Sequence, residues 1–189
     1  MTAIANPPAV QLVALQHDAP LVPNLTAGVV IASSYFKATE KVTLSLTAVR
    51  VLITNALAYG GTLLAYLPNT NGVLIGARMN LTGLKDGVAV TAATQPRVGV
   101  GTATASNATL SGTMDNILNG GNAAGLQMAA TLSAALSTTW NANATSTANI
   151  NFTPSATTGV YLNATAAPAT DGYVDFTGTI DLYYEDLGQ

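Results

Sequence analysis

The sequence predicts an all-β fold: an antiparallel β-sandwich preceded by an extended N-terminal arm and containing at most one short helix. Short runs rich in Val, Ile, Leu and Thr recur along the chain, several of them alternating apolar with polar residues as a half-covered strand does. Gly, Pro, Asn and Asp punctuate these runs at regular intervals, which is the spacing of turns in a sandwich. The 189 residues divide into an arm over residues 1–24 and one β-sandwich domain over residues 25–189, long enough to bury a sizeable core.

The arm carries Pro7, Pro8, Pro20 and Pro23 around one apolar stretch, Val10 to Leu15. Proline fixes φ and removes a ladder donor, so this segment reads as extended chain with one short edge strand. Such an arm reaches a neighbour or wraps its own domain, and the sequence leaves both open. Leu25 to Phe36 and Lys41 to Thr54 follow as strands. In the second, Val42, Leu44 and Leu46 alternate with Thr43, Ser45 and Thr47, and then Val49, Val51 and Ile53 take over in the opposite phase. A phase change inside one strand requires a bulge or bend at Thr47-Ala48.

Val51 to Leu67 is apolar enough to suggest a membrane span, but Asn55 and Gly60-Gly61 interrupt it, and Arg50 and Pro68 bracket it. Two buried strands joined by a loop are expected there, the second over Thr62 to Leu67. A long strand then places Val73, Ile75, Ala77, Met79 and Leu81 on one face. Lys85-Asp86-Gly87 is a hairpin signal, with Val88 to Thr91 as the returning strand. Arg97 to Ser106 alternates small and apolar residues, the pattern of a strand facing another layer at close quarters. Its Gly99-Val-Gly101 is not a dinucleotide fingerprint, because the third glycine, the following helix and the βαβ setting are all missing.

Residues 119–136 are the helix candidate, weakened by Gly125 and by Thr and Ser, with strand or loop as alternatives. Asn149 to Thr153, Gly159 to Ala164 and Gly172 to Tyr184 return to strand. The last has the clearest alternation in the chain: Val174, Phe176, Gly178, Ile180, Leu182 and Tyr184 face the core, and Tyr173, Asp175, Thr177, Thr179, Asp181, Tyr183 and Glu185 face outward.

Only 8% of residues are charged, against roughly 25% in ordinary soluble domains. With a net charge of −3, a free monomer would present a nearly neutral surface that resists association weakly. Self-association or burial in a lattice is the expectation. The six basic residues, Lys37, Lys41, Arg50, Arg78, Lys85 and Arg97, are scattered and offer no stripe for a phosphate backbone, so direct nucleic-acid binding is not expected. The absence of cysteine removes disulfides and thiolate chemistry together. The first residues lack the basic and apolar regions of a secretory signal, so synthesis in the cytoplasm is expected and the six Asn-x-Thr sequons, at Asn24, Asn80, Asn107, Asn143, Asn151 and Asn163, are expected to stay bare.

No residue set has catalytic, cofactor-binding or metal-ligating form, and the chain is expected not to be an enzyme. Five of the nine acids, Asp171, Asp175, Asp181, Glu185 and Asp186, fall in the last nineteen residues. They could bind Ca²⁺ or meet a basic partner, but a solvated strand face that discourages edge pairing is the plainer reading. Asp175 and Asp181 lie roughly 20 Å apart on a continuous strand, too far for an acid–base pair. His17 has no nucleophile elbow near it in sequence and reads as a surface residue. Trp140, Tyr161, Tyr173, Tyr183 and Tyr184 could stack on sugars, but core or interface packing is the plainer reading.

Ala48 to Ala56, Gly76 to Gly87, Val98 to Thr113 and Gly178 to Gly188 together resemble the small virion structural proteins of tailed bacteriophages, in particular capsid decoration or cement proteins. The resemblance spans about residues 45–188 and covers the arm least. It implies a jelly-roll-like sandwich, often a homotrimer, seated on the outer capsid surface of the virion where major capsid proteins meet. It implies no cofactor, no membrane contact and no active-site residues. A receptor- or glycan-binding virion component, such as a head fibre or tail protein, is the alternative.

Overall fold

Alternation at the two ends of the chain builds the centre of the molecule. In the computed structural model, which describes residues 22–23, 26–36, 39–67, 71–86, 90–91, 97–118, 136–144, 150–152, 158–165, 167–168 and 171–188, the strands are β1 (Val22–Pro23), β2 (Val29–Phe36), β3 (Thr39–Ile53), β4 (Tyr59–Tyr66), β5 (Asn71–Asp86), β6 (Val90–Thr91), β7 (Arg97–Gly101), β8 (Leu136–Ala144), β9 (Ile150–Phe152), β10 (Gly159–Thr165), β11 (Ala167–Pro168) and β12 (Gly172–Gly188). The large sheet has the order β2-β3-β12-β5-β8, with β9 also on β5. The small sheet has the order β1-β4-β10-β7, and β6 pairs with β11. Every pairing is antiparallel. The helical content among the described residues is a single 3-10 turn, Gly112–Met114.

The C-terminal strand β12 lies between β3 and β5 along nearly its whole length. Its alternation is realised as expected: Val174, Phe176, Ile180, Leu182 and Tyr184 are buried. They meet Val42, Leu44, Leu46, Val49, Val51 and Ile53 of β3 and, from the small sheet, Leu64, Val98, Val100, Val160, Leu162 and Ala164 in one apolar cluster. Fully burying side chains of this size contributes about 1.5–3 kcal/mol each, so this shared core is the main favourable term joining the two sheets.

The phase change in β3 is a bulge. Phe176 lies opposite Val49 and Gly178 opposite Leu46, leaving Thr47 and Ala48 against Thr177 alone. Ala48 takes a left-handed backbone, φ 51°, and its N–H donates to the Thr177 hydroxyl at 3.0 Å. The extra residue is why Val42, Leu44 and Leu46 on one side of the bulge and Val49, Val51 and Ile53 on the other reach the same core. Val51 to Leu67 is likewise two strands, β3 and β4, joined by a turn, though β4 begins at Tyr59 and includes Gly60-Gly61.

Three local expectations are corrected. Val90–Thr91 does not return along β5 as a hairpin; it pairs with Ala167–Pro168. Both flanks of β5 are already taken near that end, with Gly83 opposite Phe176 of β12 and Leu136 of β8. The even alternation of Val73 to Leu81 is broken at Ile75. Leu74 lies opposite Tyr184 and Gly76 opposite Tyr183, so Ile75 is an extra residue, which leaves Leu74 buried and Ile75 exposed. The strand expected over Arg97 to Ser106 stops at Gly101. The stretch Val10 to Leu15 and the helix candidate up to residue 135 lie outside the described residues, while Leu136 begins β8, a strand that the sequence reading did not anticipate.

Beyond β7 the chain folds back over the small sheet. Ala103 N–H donates to Thr113 O at 3.0 Å, and Ile117 and Leu118 N–H both reach Val100 O, at 3.0 and 2.9 Å. Ala105, Leu110 and Met114 form a second apolar cluster under this cap, with Tyr59 against it. The glycines of Gly99-Val-Gly101 make the approach possible: a Cβ on Gly101 would stand 2.3 Å from Thr113 O and from the Met114 carbonyl carbon. Gly101→Ala is therefore expected to lift the cap and cost about 1–3 kcal/mol, as overpacking does. A lowered urea midpoint at unchanged m-value is the readout, and a neutral result would mean that the cap moves freely.

Candidate functional site

The outward face of the large sheet collects the residues that the sequence singled out. β12 supplies Tyr173, Asp175, Thr177, Thr179, Asp181, Tyr183 and Glu185, because alternate residues of a strand share a face. β3 supplies Lys41, Thr43, Ser45, Arg50 and Leu52 beside them, and Arg78 and Asn80 of β5 lie on the other flank, opposite Asp181 and Thr179.

Register then decides the electrostatics. Asp175 is directly opposite Arg50, which donates from Nε to Oδ1 and from Nη2 to Oδ2, each at 2.9 Å. The same guanidinium stacks over the Tyr173 ring, 3.4 Å from its centroid. Asp181 takes Lys41 Nζ at 3.0 Å on Oδ2 and the Thr43 hydroxyl at 2.7 Å on Oδ1. Asp171 has a separate task, accepting Asn55 N–H at 2.7 Å at the turn after β3. Ion pairs this accessible contribute only about 0.2–1 kcal/mol each to stability. Their larger consequence is neutralisation, since the two mid-strand acids of β12 are each matched by a base on β3. Between and around them the described surface is mostly Thr, Ser and Tyr, with Arg78 and Asn80 exposed on β5, Glu185 half-buried near the end of β12, and Val30 and Leu52 more than half exposed.

Asp175 and Asp181 thus belong to different pairs and share no site. Among the described residues no group of three or more His, Cys, Asp or Glu is placed to hold a metal ion, and no helix is long and apolar enough to cross a membrane. His17 lies outside the described residues, and Asp186 is described only through the backbone of β12.

The aromatic candidates separate. Tyr184 is buried and its hydroxyl donates to the Glu40 carboxylate, Tyr173 has one ring face covered by Arg50, and Tyr161 and Tyr183 are half-buried on different sheets. Trp140 falls in β8 opposite Met79.

Glu40, Asp115, Asn163 and Thr165 are buried polar residues that escaped the sequence reading as structural elements. Asn163, flagged only as a sequon, is fully buried in β10. Its Oδ1 accepts Ala105 N–H at 2.8 Å, and its Nδ2 donates to Ala103 O at 2.9 Å and Met114 O at 2.7 Å, so it pins the cap and cannot carry a glycan. Glu40, on the inward side of β3, is 4% exposed. The cap surface itself, through Thr104, Ser106, Ala108, Thr109, Ser111 and Thr113, is exposed and uncharged.

No protein-family model, no curated protein and no solved structure matches this chain. The reading of the surface rests on its own chemistry.

Proposed function

We propose that this chain is a non-enzymatic virion structural protein, a jelly-roll-like sandwich that sits as a homotrimer on the outer surface of a phage capsid and bridges major capsid proteins. The observation that carries the reading is the outward face of the large sheet. Its mid-strand acids are neutralised within the sheet by Arg50 and Lys41, leaving a broad face of mainly Thr, Ser, Tyr, Val and Leu, with Arg78 and Glu185 as the further charges among its described side chains. A face with so few charges outside its ion pairs can be covered by a partner with little stranding of charge, which is the main penalty in burying polar surface. The sparse charge of the whole sequence and the uncharged cap support the same role. Stabilisation would be additive: each copy bound to the assembled shell, and not to its separated subunits, shifts the balance toward the intact shell, and multivalency multiplies the effect.

Mixing the purified full chain with expanded phage capsid shells tests this. Co-sedimentation with the shells and a higher rupture temperature are expected. A monomer that ignores shells yet retains a carbohydrate ligand would replace this reading with a receptor- or glycan-binding virion component. The stacking of Arg50 on Tyr173 already removes one ring face that a sugar would need.

A further inference from the structure

The large sheet ends, on one side, in a strand without the usual protection. β2 pairs along all eight of its residues with β3, and among the described residues its other edge carries no strand. It contains no charge and no proline, the devices that normally blunt an edge. Val30 is 65% exposed, and Ala32, Ser33 and Ser34 are exposed. Val29 and Ile31, on the inward side, pack against the core only in part, so the hydrophobic layer is incomplete where the sheet stops. A further strand laid on this edge would satisfy the backbone groups that no described strand pairs and extend the core at once.

The segment that fits is Val10–Leu15. It is the apolar stretch of the 21 residues preceding β1, uncharged and with one polar side chain, Gln11. The point from which it departs is known. Val22 and Pro23 lie opposite Tyr66 and Ala65 on the edge of β4, the Thr26 hydroxyl donates to Leu63 O at 2.6 Å, and Gly28 O accepts Thr47 N–H at 2.7 Å. The chain therefore passes from the small sheet to the large one along a single flank, and the arm starts on the flank that β2 borders. The opposite edge, β8, is four strand positions away, roughly 19 Å at about 4.8 Å per strand.

Direction favours another molecule's arm over the chain's own. β4 runs antiparallel to β3 beside it, since Gly60 approaches Leu52 O and the Thr62 hydroxyl donates to Arg50 O at 2.5 Å. β1 is antiparallel to β4 and β2 antiparallel to β3, so β1 and β2 run in opposite directions. A strand joined to β1 by only the six residues 16–21 would cross between the sheets by reversing, as the chain does between β1 and β2. On its own β2 it would therefore lie parallel, in a sheet whose pairings are all antiparallel. Parallel ladders are weaker per residue and usually need a longer crossover. An arm from a second molecule has no such constraint.

We propose that the outer edge of β2, which no described strand covers, accepts Val10–Leu15 of a second copy of this chain, added antiparallel, so that copies are joined by exchanged arms. The interaction is strand addition, with affinity from main-chain hydrogen bonds and register from the alternating side chains. It deepens the assembly reading above and rests on its claim of self-association, but not on the capsid shell.

The chain has no cysteine, so introduced thiols report the contact directly. Full-length chain carrying Val13→Cys and a mass tag is co-expressed with untagged chain carrying Val30→Cys, Ala32→Cys or Ser34→Cys, and the pair is oxidised. The expected result is a tagged-to-untagged disulfide, strongest at one of the three positions and lost with Val30→Lys, whose exposed site leaves the fold intact by circular dichroism while the oligomer falls to single chains. A disulfide confined within one chain in the Val13→Cys, Ala32→Cys double variant overturns the proposal in favour of the chain's own arm. An Ala32→Cys homodimer that persists after deletion of residues 1–21 overturns it in favour of direct β2-to-β2 pairing, and no disulfide at any position rules out the arm on this edge. If the cross-link forms but expanded shells are ignored, arm exchange stands and the capsid reading falls; if no cross-link forms at any position but the intact chain binds shells, the reverse holds.

Discussion

Asn163→Ala is expected to destabilise the protein by about 3–5 kcal/mol, because one truncation strands two buried backbone groups and a part-buried one at about 1–3 kcal/mol each. Those groups are Ala105 N–H, Ala103 O and Met114 O. All three belong to the cap over the small sheet, so the loss should be local before it is global: amides of residues 102–118 should lose hydrogen-exchange protection while β3 and β12 retain theirs. Asn163→Asp is the sharper variant. It keeps the acceptor for Ala105 but turns a carboxylate toward two carbonyl oxygens, so it should be at least as damaging as alanine near neutral pH. A midpoint shift below about 1 kcal/mol for both variants would show that the cap is held by its apolar cluster alone, Ala105, Leu110 and Met114.

The contrast between Asn163 and the strands shows what a sequence can disclose. Alternation reports which face a residue occupies, and it placed the β12 core residues and the bulge at Thr47-Ala48 correctly because both are consequences of a two-residue period. It does not report which strand lies alongside. The return of Val90–Thr91 to Ala167–Pro168, the extra residue at Ile75 and the strand β8 all depend on neighbours distant in sequence, and local pattern is silent about them. The small residues of Arg97 to Ser106 did announce a close layer, but not that the layer over Gly101 would be the stretch of chain that follows it, up to Leu118. For the candidate surface, the outward position of Asp175 and Asp181 was legible, whereas their neutralisation by Arg50 and Lys41 required the register of β12 on β3. Asn163 was visible only as part of a sequon, since nothing local marks an amide as buried.

Tyr184→Phe is expected to cost about 3 kcal/mol, more than loss of a neutral hydrogen bond, because the acceptor it abandons is a buried carboxylate. Glu40 and Tyr184 face each other across β3 and β12; the hydroxyl donates to Oε2, and Oε1 is buried with no hydrogen-bond partner among the described residues. Position 40 continues the inward row of Val42, Leu44 and Leu46, where an apolar side chain would cause no such penalty. The pair therefore reads as a device that tolerates an acidic side chain in the core, and its worth should be conditional. Glu40→Leu in the wild-type background removes the desolvated carboxylate but leaves the Tyr184 hydroxyl with one partner fewer, so it should be close to neutral. Glu40→Leu combined with Tyr184→Phe removes both polar groups and should recover most of the stability lost in Tyr184→Phe alone, giving a coupling energy of about 2 kcal/mol in a double-mutant cycle followed by urea unfolding. Additive losses from the two substitutions would mean that Glu40 draws its stabilisation from elsewhere and that the hydroxyl is incidental to it.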